Sequence, residues 1–270
     1  MNPFHEHYVL SNQVKIPKIG LGTWQISNED VYQVTLDAFS AGYRHIDSAQ
    51  GYQNEKGVGL ALKDSGLNRD EVFITTKLPS HIKGYQETLD SFEQSMKDLQ
   101  LEVLDLYLIH APWPWNEIGK DCTQGNIESF KAMIDLYKQG RIRSIGVSNF
   151  SVKDLKAIID ATGFVPHVNQ IRFYVSDTQE EIVKFCQEHN ILVEAYSPLA
   201  TGRILDNPQL KKIALDKGVT IAQLCIRYCL DKGTLPLPKT TKHFRMVENA
   251  QVDFELSPED IRLLDEMKLK

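Results

Sequence analysis

Eight short apolar runs alternate with segments of helical periodicity along this chain, and that alternation restricts its fold more than any other feature. The runs are PKIGLG, YRHID, VFITTK, LDLYLIH, SIGVSN, VNQ, LVEAYS and TLPLPK. Each has the length of a buried parallel strand, and most lack the polar–apolar alternation of a half-solvated one. Between them lie helix patterns with readable ends. SNEDVYQVTLDAFSAG opens with Ser27 and Asp30 at capping-box spacing and stops at Gly42. YQETLDSFEQSMKDL sets Leu89, Phe92, Met96 and Leu99 on one face, and NIESFKAMIDLYKQG ends at Gly140. FSVKDLKAIID pairs Ser151 with Asp154 as a capping box, with Phe150 and Leu155 placed as a hydrophobic staple. DTQEEIVKFCQEH and TIAQLCIRYCL follow, and SPEDIRLLDEM starts with Ser257 as N-cap and Pro258 at the first helical position.

Eight strand–helix units predict an α/β fold, a (β/α)8 TIM barrel, with HYVLSNQVKIPKIG forming an N-terminal β-hairpin before the first barrel strand. The competing doubly wound sheet would carry a Gly-rich dinucleotide fingerprint. GLGTWQ has only the first two glycines and no helix directly behind it. No linker or low-complexity tract interrupts the pattern, so one domain spanning 1–270 is expected. At 270 residues, 42% hydrophobic and 24% charged, the chain can bury a large core. A net charge of -6 with no basic stripe argues against a nucleic-acid partner. No run approaches the ~20 apolar residues of a membrane span, and MNPFHEHYVL lacks the layout of a secretory signal. The four cysteines show no zinc-type pairing, and Cys225 and Cys229 fall one helical turn apart, which points to core packing. No metal site is expected. A reducing cytoplasm, a monomer and no obligate protein partner are the defaults.

The chemistry sits where the runs end. They close on Asp47, Lys77, His110, Asn149, Gln170, Tyr196 and Lys239, with gaps of 21 to 43 residues, around the roughly 31 per unit of an eightfold barrel. The C-terminal strand ends of such a barrel surround one open mouth, so these side chains are expected to share it. Asp47 and Lys77 end neighbouring strands, and Tyr52 lies in the loop just past Asp47. A free phenol is a weak acid, and an adjacent ammonium is expected to lower its pKa. Asp47 can hold Lys77 charged and aimed at Tyr52, while His110 can donate a hydrogen bond to a carbonyl oxygen. Such a group protonates an oxygen as negative charge develops on it. His45, two residues before Asp47, is expected on the opposite face of its strand as a structural residue. Trp24 and Trp113 are read as an apolar wall for the substrate and Trp115 as a loop residue.

GLGTW, HIDSAQGYQNE, ITTK, LIHAPW, GVSNF, VNQI, YSPLA and LPKTTKHFRMVEN, in this order, resemble the aldo-keto reductases from about Val14 to Phe254. The short chain is most similar to the bacterial members that include 2,5-diketo-gluconate reductases and aldehyde reductases. The resemblance implies a tetrad of Asp47, Tyr52, Lys77 and His110, with Tyr52 as proton donor to a small carbonyl substrate, and an NADPH site. It implies that Ser148, Asn149 and Gln170 hold the carboxamide, and that Tyr196 lies under the nicotinamide. Gly22, Thr23 and Asp47 border the cofactor, and Ser197 and Leu199 contact the pyrophosphate. Lys239, Thr240 and Arg245 clamp the 2′-phosphate, and Glu248 and Asn249 contact the adenine. A point charge at Lys239 and a planar fork at Arg245 suit a phosphate and favour NADPH over NADH. Four places depart from the family pattern: IRFYVSD (Arg172, Tyr174, Val175) after NQ, Ala200 in YSPLA, Lys242, and HAPWPW after the fourth strand. Two other functions stay open beside carbonyl reduction. One is a Schiff-base lyase using Lys77 as nucleophile. The other is an NADPH-binding redox-sensing module with little turnover.

Overall fold

Residues two apart on a strand share a face, and along the apolar runs one such face changes character from apolar to polar towards the C-terminal end. Phe73 precedes Thr75 and Lys77, Leu106 and Leu108 precede His110, Val168 precedes Gln170, and Leu235 and Leu237 precede Lys239. In the computed structural model, which describes residues 2–268, that face lines the inside of a barrel. Strands β1 (His7–Val9) and β2 (Lys15–Pro17) pair antiparallel as the expected hairpin. The barrel strands are β3 (Leu21–Gly22), β4 (His45–Asp47), β5 (Phe73–Leu78), β6 (Leu104–Ile109), β7 (Ile142–Ser148), β8 (Val168–Arg172), β9 (Leu192–Tyr196) and β10 (Leu235–Leu237). All pair in parallel and in chain order. The backbone N–H groups of Gly20 and Gly22 donate to the carbonyls of Pro236 and Pro238 at 3.2 and 3.0 Å, which joins the first strand to the last.

Helices α1 (Asn28–Ala41), α2 (Glu55–Asp64), α3 (Tyr85–Leu99), α4 (Thr123–Lys138), α5 (Val152–Thr162), α6 (Glu180–Glu188), α7 (Pro208–Lys217), α8 (Ile221–Asp231), α9 (His243–Ala250) and α10 (Pro258–Glu266) complete the chain. The caps read from the sequence are present. Ser27 accepts from the Asp30 N–H, Ser151 and Asp154 form a reciprocal box, as do Ser257 and Asp260, and Gly42 adopts a left-handed conformation at the end of α1. The outward strand faces pack under the helices in the main core, where Ile46, Ile74, Ile109 and Val147 meet Phe92, Phe130 and Leu155. A second buried cluster joins Leu10 and Ile16, which flank the turn of the hairpin, to Phe73, Leu106, Leu108, Val168, Leu235 and Leu237. The hairpin therefore stoppers the N-terminal end of the barrel with apolar side chains, and the polar residues gather at the other end.

One expectation from the sequence does not hold. His45 does not face away from Asp47: the two are separated by one residue and point to the same side. The His45 ring lies inside the barrel, 5.0 Å from the Phe73 ring, with Nε2 3.0 Å from Thr75 Oγ1. All four cysteines are free, and Cys225 and Cys229 are fully buried on α8.

Candidate active site

Strand β4 ends at Asp47, and the chain then turns through a single 3-10 turn, Gln50–Tyr52, which lifts the Tyr52 ring over the barrel mouth. The turn is anchored by Asn54, whose Nδ2 donates to the carbonyls of Thr23 at 3.0 Å and Ile26 at 2.9 Å, and whose Oδ1 accepts from Ser48 Oγ at 2.8 Å. Strand β5 delivers Lys77 beneath this turn. Its ammonium is fully buried and donates to Asp47 Oδ1 at 2.8 Å, Asp47 Oδ2 at 2.9 Å and the Ser48 carbonyl at 2.7 Å. The same nitrogen lies 5.1 Å from the Tyr52 ring centroid. The His110 ring, one residue past β6, meets the Tyr52 ring edge-on at 5.5 Å. Asp47, Tyr52, Lys77 and His110 thus converge as the sequence expects.

Burial pulls the Lys77 pKa down, but the Asp47 carboxylate and Tyr52 outweigh it, and the net direction is above the ordinary lysine value. With its N–H groups engaged and its charge held, Lys77 is a poor nucleophile. For Tyr52 the direction differs from the expectation of a lowered pKa. Burial raises it and Asp47 adds to the rise, so that the lowering by Lys77 only tempers the result. A phenol kept protonated is the state a proton donor needs. Burial, and then the charges of Lys77 and Lys83, lower the His110 pKa to about 3. The imidazole is therefore neutral and able to donate a hydrogen bond without bringing a charge. His110 is expected not to titrate between about pH 5 and 8, which the pH dependence of its ring resonances in NMR will check. A ring that takes up a proton near pH 6.5 contradicts this.

A cavity of about 1710 Å³ opens above these groups. Gly22, Asp47, Tyr52, His110, Ser148, Asn149, Gln170, Tyr196, Ser197, Leu199, Lys239, Thr240, Arg245, Glu248 and Asn249 all border it, as does Trp24. Lys77 lies beneath Tyr52 rather than on the wall. Two sequence-predicted residues stand elsewhere. Thr23 is buried behind the wall, its hydroxyl donating to the Asp47 carbonyl at 3.0 Å, because Thr23 has turned inward to tie the two loops together. Trp113 and Trp115 exchange places. Trp115 borders the cavity with its ring 5.7 Å from His110, and Trp113 stands behind it, 5.0 Å from Trp115. The prolines flanking Trp113 in HAPWPW leave a run with no periodicity from which to assign the inner ring.

A single network holds the middle of the cavity. Asn149, in a left-handed conformation after β7, donates from Nδ2 to the His110 carbonyl at 3.1 Å and to Ser148 Oγ at 3.0 Å. Its Oδ1 accepts from the Tyr196 hydroxyl at 2.8 Å, and Ser148 Oγ donates to the Gln170 carbonyl at 2.9 Å. The Tyr196 ring is thereby fixed at the end of β9. At the far end of the cavity Lys239 and Arg245 are exposed, and neither has an ion-pair partner among the described residues. The Arg245 guanidinium lies 5.6 Å from the Phe244 ring, which also borders the cavity.

The departures take definite places. Arg172 borders the cavity beside Tyr196 with Nε 2.5 Å from Asp177 Oδ2, and Tyr174 pairs with Asp177 across a tight turn while Val175 is buried. Ala200 is buried at φ 47, in the left-handed region where glycine is free of steric cost. Lys242 precedes α9 and is exposed, outside the cavity lining. Gln50, Ser80 and His81 also border the cavity. Gln50 carries no signal in the sequence beyond its closeness to Tyr52, and Ser80 and His81 follow β5 at a strand end that Lys77 had already claimed. Among the described residues, no group of three His, Cys, Asp or Glu side chains is placed to hold a metal ion.

Comparison with known proteins finds relatives of the whole chain and of its fold. Residues 18–268 match the Aldo/keto reductase family. The chain is 42% identical over 258 residues to the glyoxal reductase of Bacillus subtilis, an alignment covering 95% of this chain and 90% of that protein. The fold superposes with a TM-score of 0.91 on a crystal structure of an aldo/keto reductase from Brucella melitensis, which is 38% identical and matched over 97% of both chains. It superposes at 0.88 on a Bombyx mori aldo-keto reductase crystallised in complex with NADP, which is 32% identical, over 97% of this chain and 92% of that one.

Proposed function

Because the chain belongs to the aldo/keto reductase family, oxidoreductases acting on carbonyl groups, we propose that it reduces small aldehydes and ketones to alcohols with NADPH. Keto-sugars fall within the same class, and the relatedness to a glyoxal reductase makes short dialdehydes the first substrates to try. The observation that carries the reading is the buried Lys77 ammonium, engaged by Asp47 and set under Tyr52 at the floor of a large cavity.

The residues around the cavity suit NADPH. Tyr196 offers an aromatic face steadied by Asn149. Ser148, Asn149 and Gln170 supply polar groups for a carboxamide, with Gly22 and Asp47 beside them. Ser197 and Leu199 lie along the pyrophosphate path. Lys239, Thr240 and Arg245 receive the 2′-phosphate, and Glu248 and Asn249 receive the adenine. When bound, the nicotinamide supplies the hydride. Tyr52 gives its proton to the carbonyl oxygen, and the Lys77 ammonium stabilises the phenolate left behind. Asp47 keeps Lys77 charged and oriented. His110, as a neutral donor, orients the carbonyl oxygen, while Trp24 and Trp115 wall the site against water.

The phosphate clamp has a direct test. Lys239→Ala with Arg245→Ala is expected to weaken NADPH binding roughly 10–100-fold, through loss of charge-assisted hydrogen bonds, and to leave NADH binding unchanged. Fluorescence titration with both cofactors checks this, and equal losses for the two would overturn the assignment. Every residue assigned above lies on one chain. Among the described residues no helix is long and apolar enough to cross a membrane. With four free cysteines, a monomer in a reducing cytoplasm is the setting we propose.

A further inference from the structure

Gln170 stands between two buried carboxylates. Its Nε2 is 2.8 Å from Asp47 Oδ1 and 2.8 Å from Glu194 Oε2. An amide oxygen at that position would face repulsion on both sides, so the atom there is the nitrogen and each of its N–H groups has one acceptor. The amide oxygen has no partner inside the protein among the described residues, and Gln170 borders the cavity. Glu194 lies on β9 in register with Gln170, is fully buried and does not reach the cavity. Its other oxygen, Oε1, has no hydrogen bond, and His45 Nε2 stands 3.9 Å away. A half-satisfied carboxyl in a barrel interior is costly, and the reduction chemistry has no step for it.

We propose that Glu194 is a positioning residue of the reductase site, which takes one N–H of Gln170 and so locks that amide with its nitrogen inward and its oxygen facing the cavity. There the oxygen accepts a hydrogen bond from the NH2 group of a carboxamide, an inference that rests on the reading of Gln170 as a cofactor contact. Asp47 alone does not fix the amide, because it accepts one N–H and leaves the other buried without an acceptor. The groups facing Glu194 explain how a second carboxyl sits so near the Asp47–Lys77 pair. His45 and Asp47 come from β4, Lys77 from β5 and Gln170 from β8, and β10 contributes the apolar Leu235. Burial, then the Asp47 charge, raise the Glu194 pKa to about 8. Near neutral pH Glu194 is therefore mostly protonated. Its carbonyl oxygen still accepts from Gln170, and it does not compete with Asp47 for the single ammonium.

The test compares Glu194→Met, Glu194→Gln and Gln170→Ala in NADPH titrations and steady-state kinetics. Glu194→Met is expected to weaken NADPH binding about five- to tenfold, with kcat within about twofold of the parent because the Tyr52 group is untouched. Glu194→Gln, whose amide oxygen accepts the same N–H, is expected to restore binding, and Glu194→Met added to Gln170→Ala is expected to cost nothing further. Unchanged binding in Glu194→Met, or equal losses in the Met and Gln variants, overturns the inference. If Gln170→Ala itself binds NADPH normally, the cofactor reading of Gln170 fails instead. A measurement on the unaltered protein guards against a Met variant that does not fold. The Gln170 side-chain amide resonances should be protected from exchange in NMR and should move as Glu194 titrates near pH 8; rapid exchange with no shift overturns the proposal.

Discussion

Replacing Tyr52 by Phe is expected to lower turnover of every carbonyl substrate by about 10²–10⁴-fold and to leave the NADPH dissociation constant within about twofold of the parent. The change deletes one oxygen and keeps the ring, so the edge contact with His110 at 5.5 Å and the wall of the cavity persist. What disappears is the phenol hydroxyl above the Lys77 ammonium. In the proposed mechanism the carbonyl oxygen then develops charge beside the neutral His110, which, with a pKa of about 3, carries no imidazolium proton to give up. Initial rates with saturating NADPH, set beside fluorescence titration of the cofactor, separate the two effects. A variant that turns over at the parent rate removes Tyr52 from the mechanism.

The Lys77→Met substitution strikes stability as well as rate. It leaves the Asp47 carboxylate in the barrel interior without the two bonds at 2.8 and 2.9 Å that now compensate its burial. Breaking a buried pair by removing one partner costs about 3–5 kcal/mol, which corresponds to a fall in melting temperature of roughly 10 °C for a domain of this size. Catalysis is expected to fall too, because in the proposed mechanism the phenolate of Tyr52 loses its counter-charge. Asp47→Asn alone also destabilises, by stranding the ammonium. The double variant Asp47→Asn with Lys77→Met is expected to be more stable than the two single losses add up to, since no uncompensated charge remains. Calorimetry on the four proteins measures this coupling. Simple additivity, or a Lys77→Met protein as stable as its parent, contradicts the account of the pair.

The legible part of the fold was its eight strands, because burial on both faces leaves short, dense apolar runs bounded by helix caps. Three helices escaped the pattern. In α2, Gly57 and Gly59 interrupt the helical signal, yet a Cβ on Gly57 would come within 2.4 Å of Val31 and one on Gly59 within 2.4 Å of the Leu99 carbonyl. These glycines permit close packing against α1 and the end of α3, a reason that only the neighbours reveal. Helices α7 and α9 are short and bury three residues apiece, and α9 has no side-chain cap to announce it. At the site, the residues at strand ends could be found because their positions follow from topology. Those that turn on loop conformation could not: Trp115 rather than Trp113 at the cavity, and Thr23 turned behind the wall. His45 and Glu194 were obscured for another reason. Each sits two residues before a polar strand end, in the middle layer of the barrel, where a polar side chain faces neither water nor the open mouth.

The central claim is that this chain couples NADPH oxidation to carbonyl reduction at the site built on Tyr52. The decisive measurement follows the loss of NADPH absorbance when the purified protein meets a panel of short dialdehydes, aldehydes, ketones and keto-sugars. At least one of them should consume NADPH and yield one alcohol for each cofactor oxidised, with NADH a poorer donor. A protein that binds NADPH tightly and reduces no carbonyl on that panel is a sensor of the cofactor rather than a reductase.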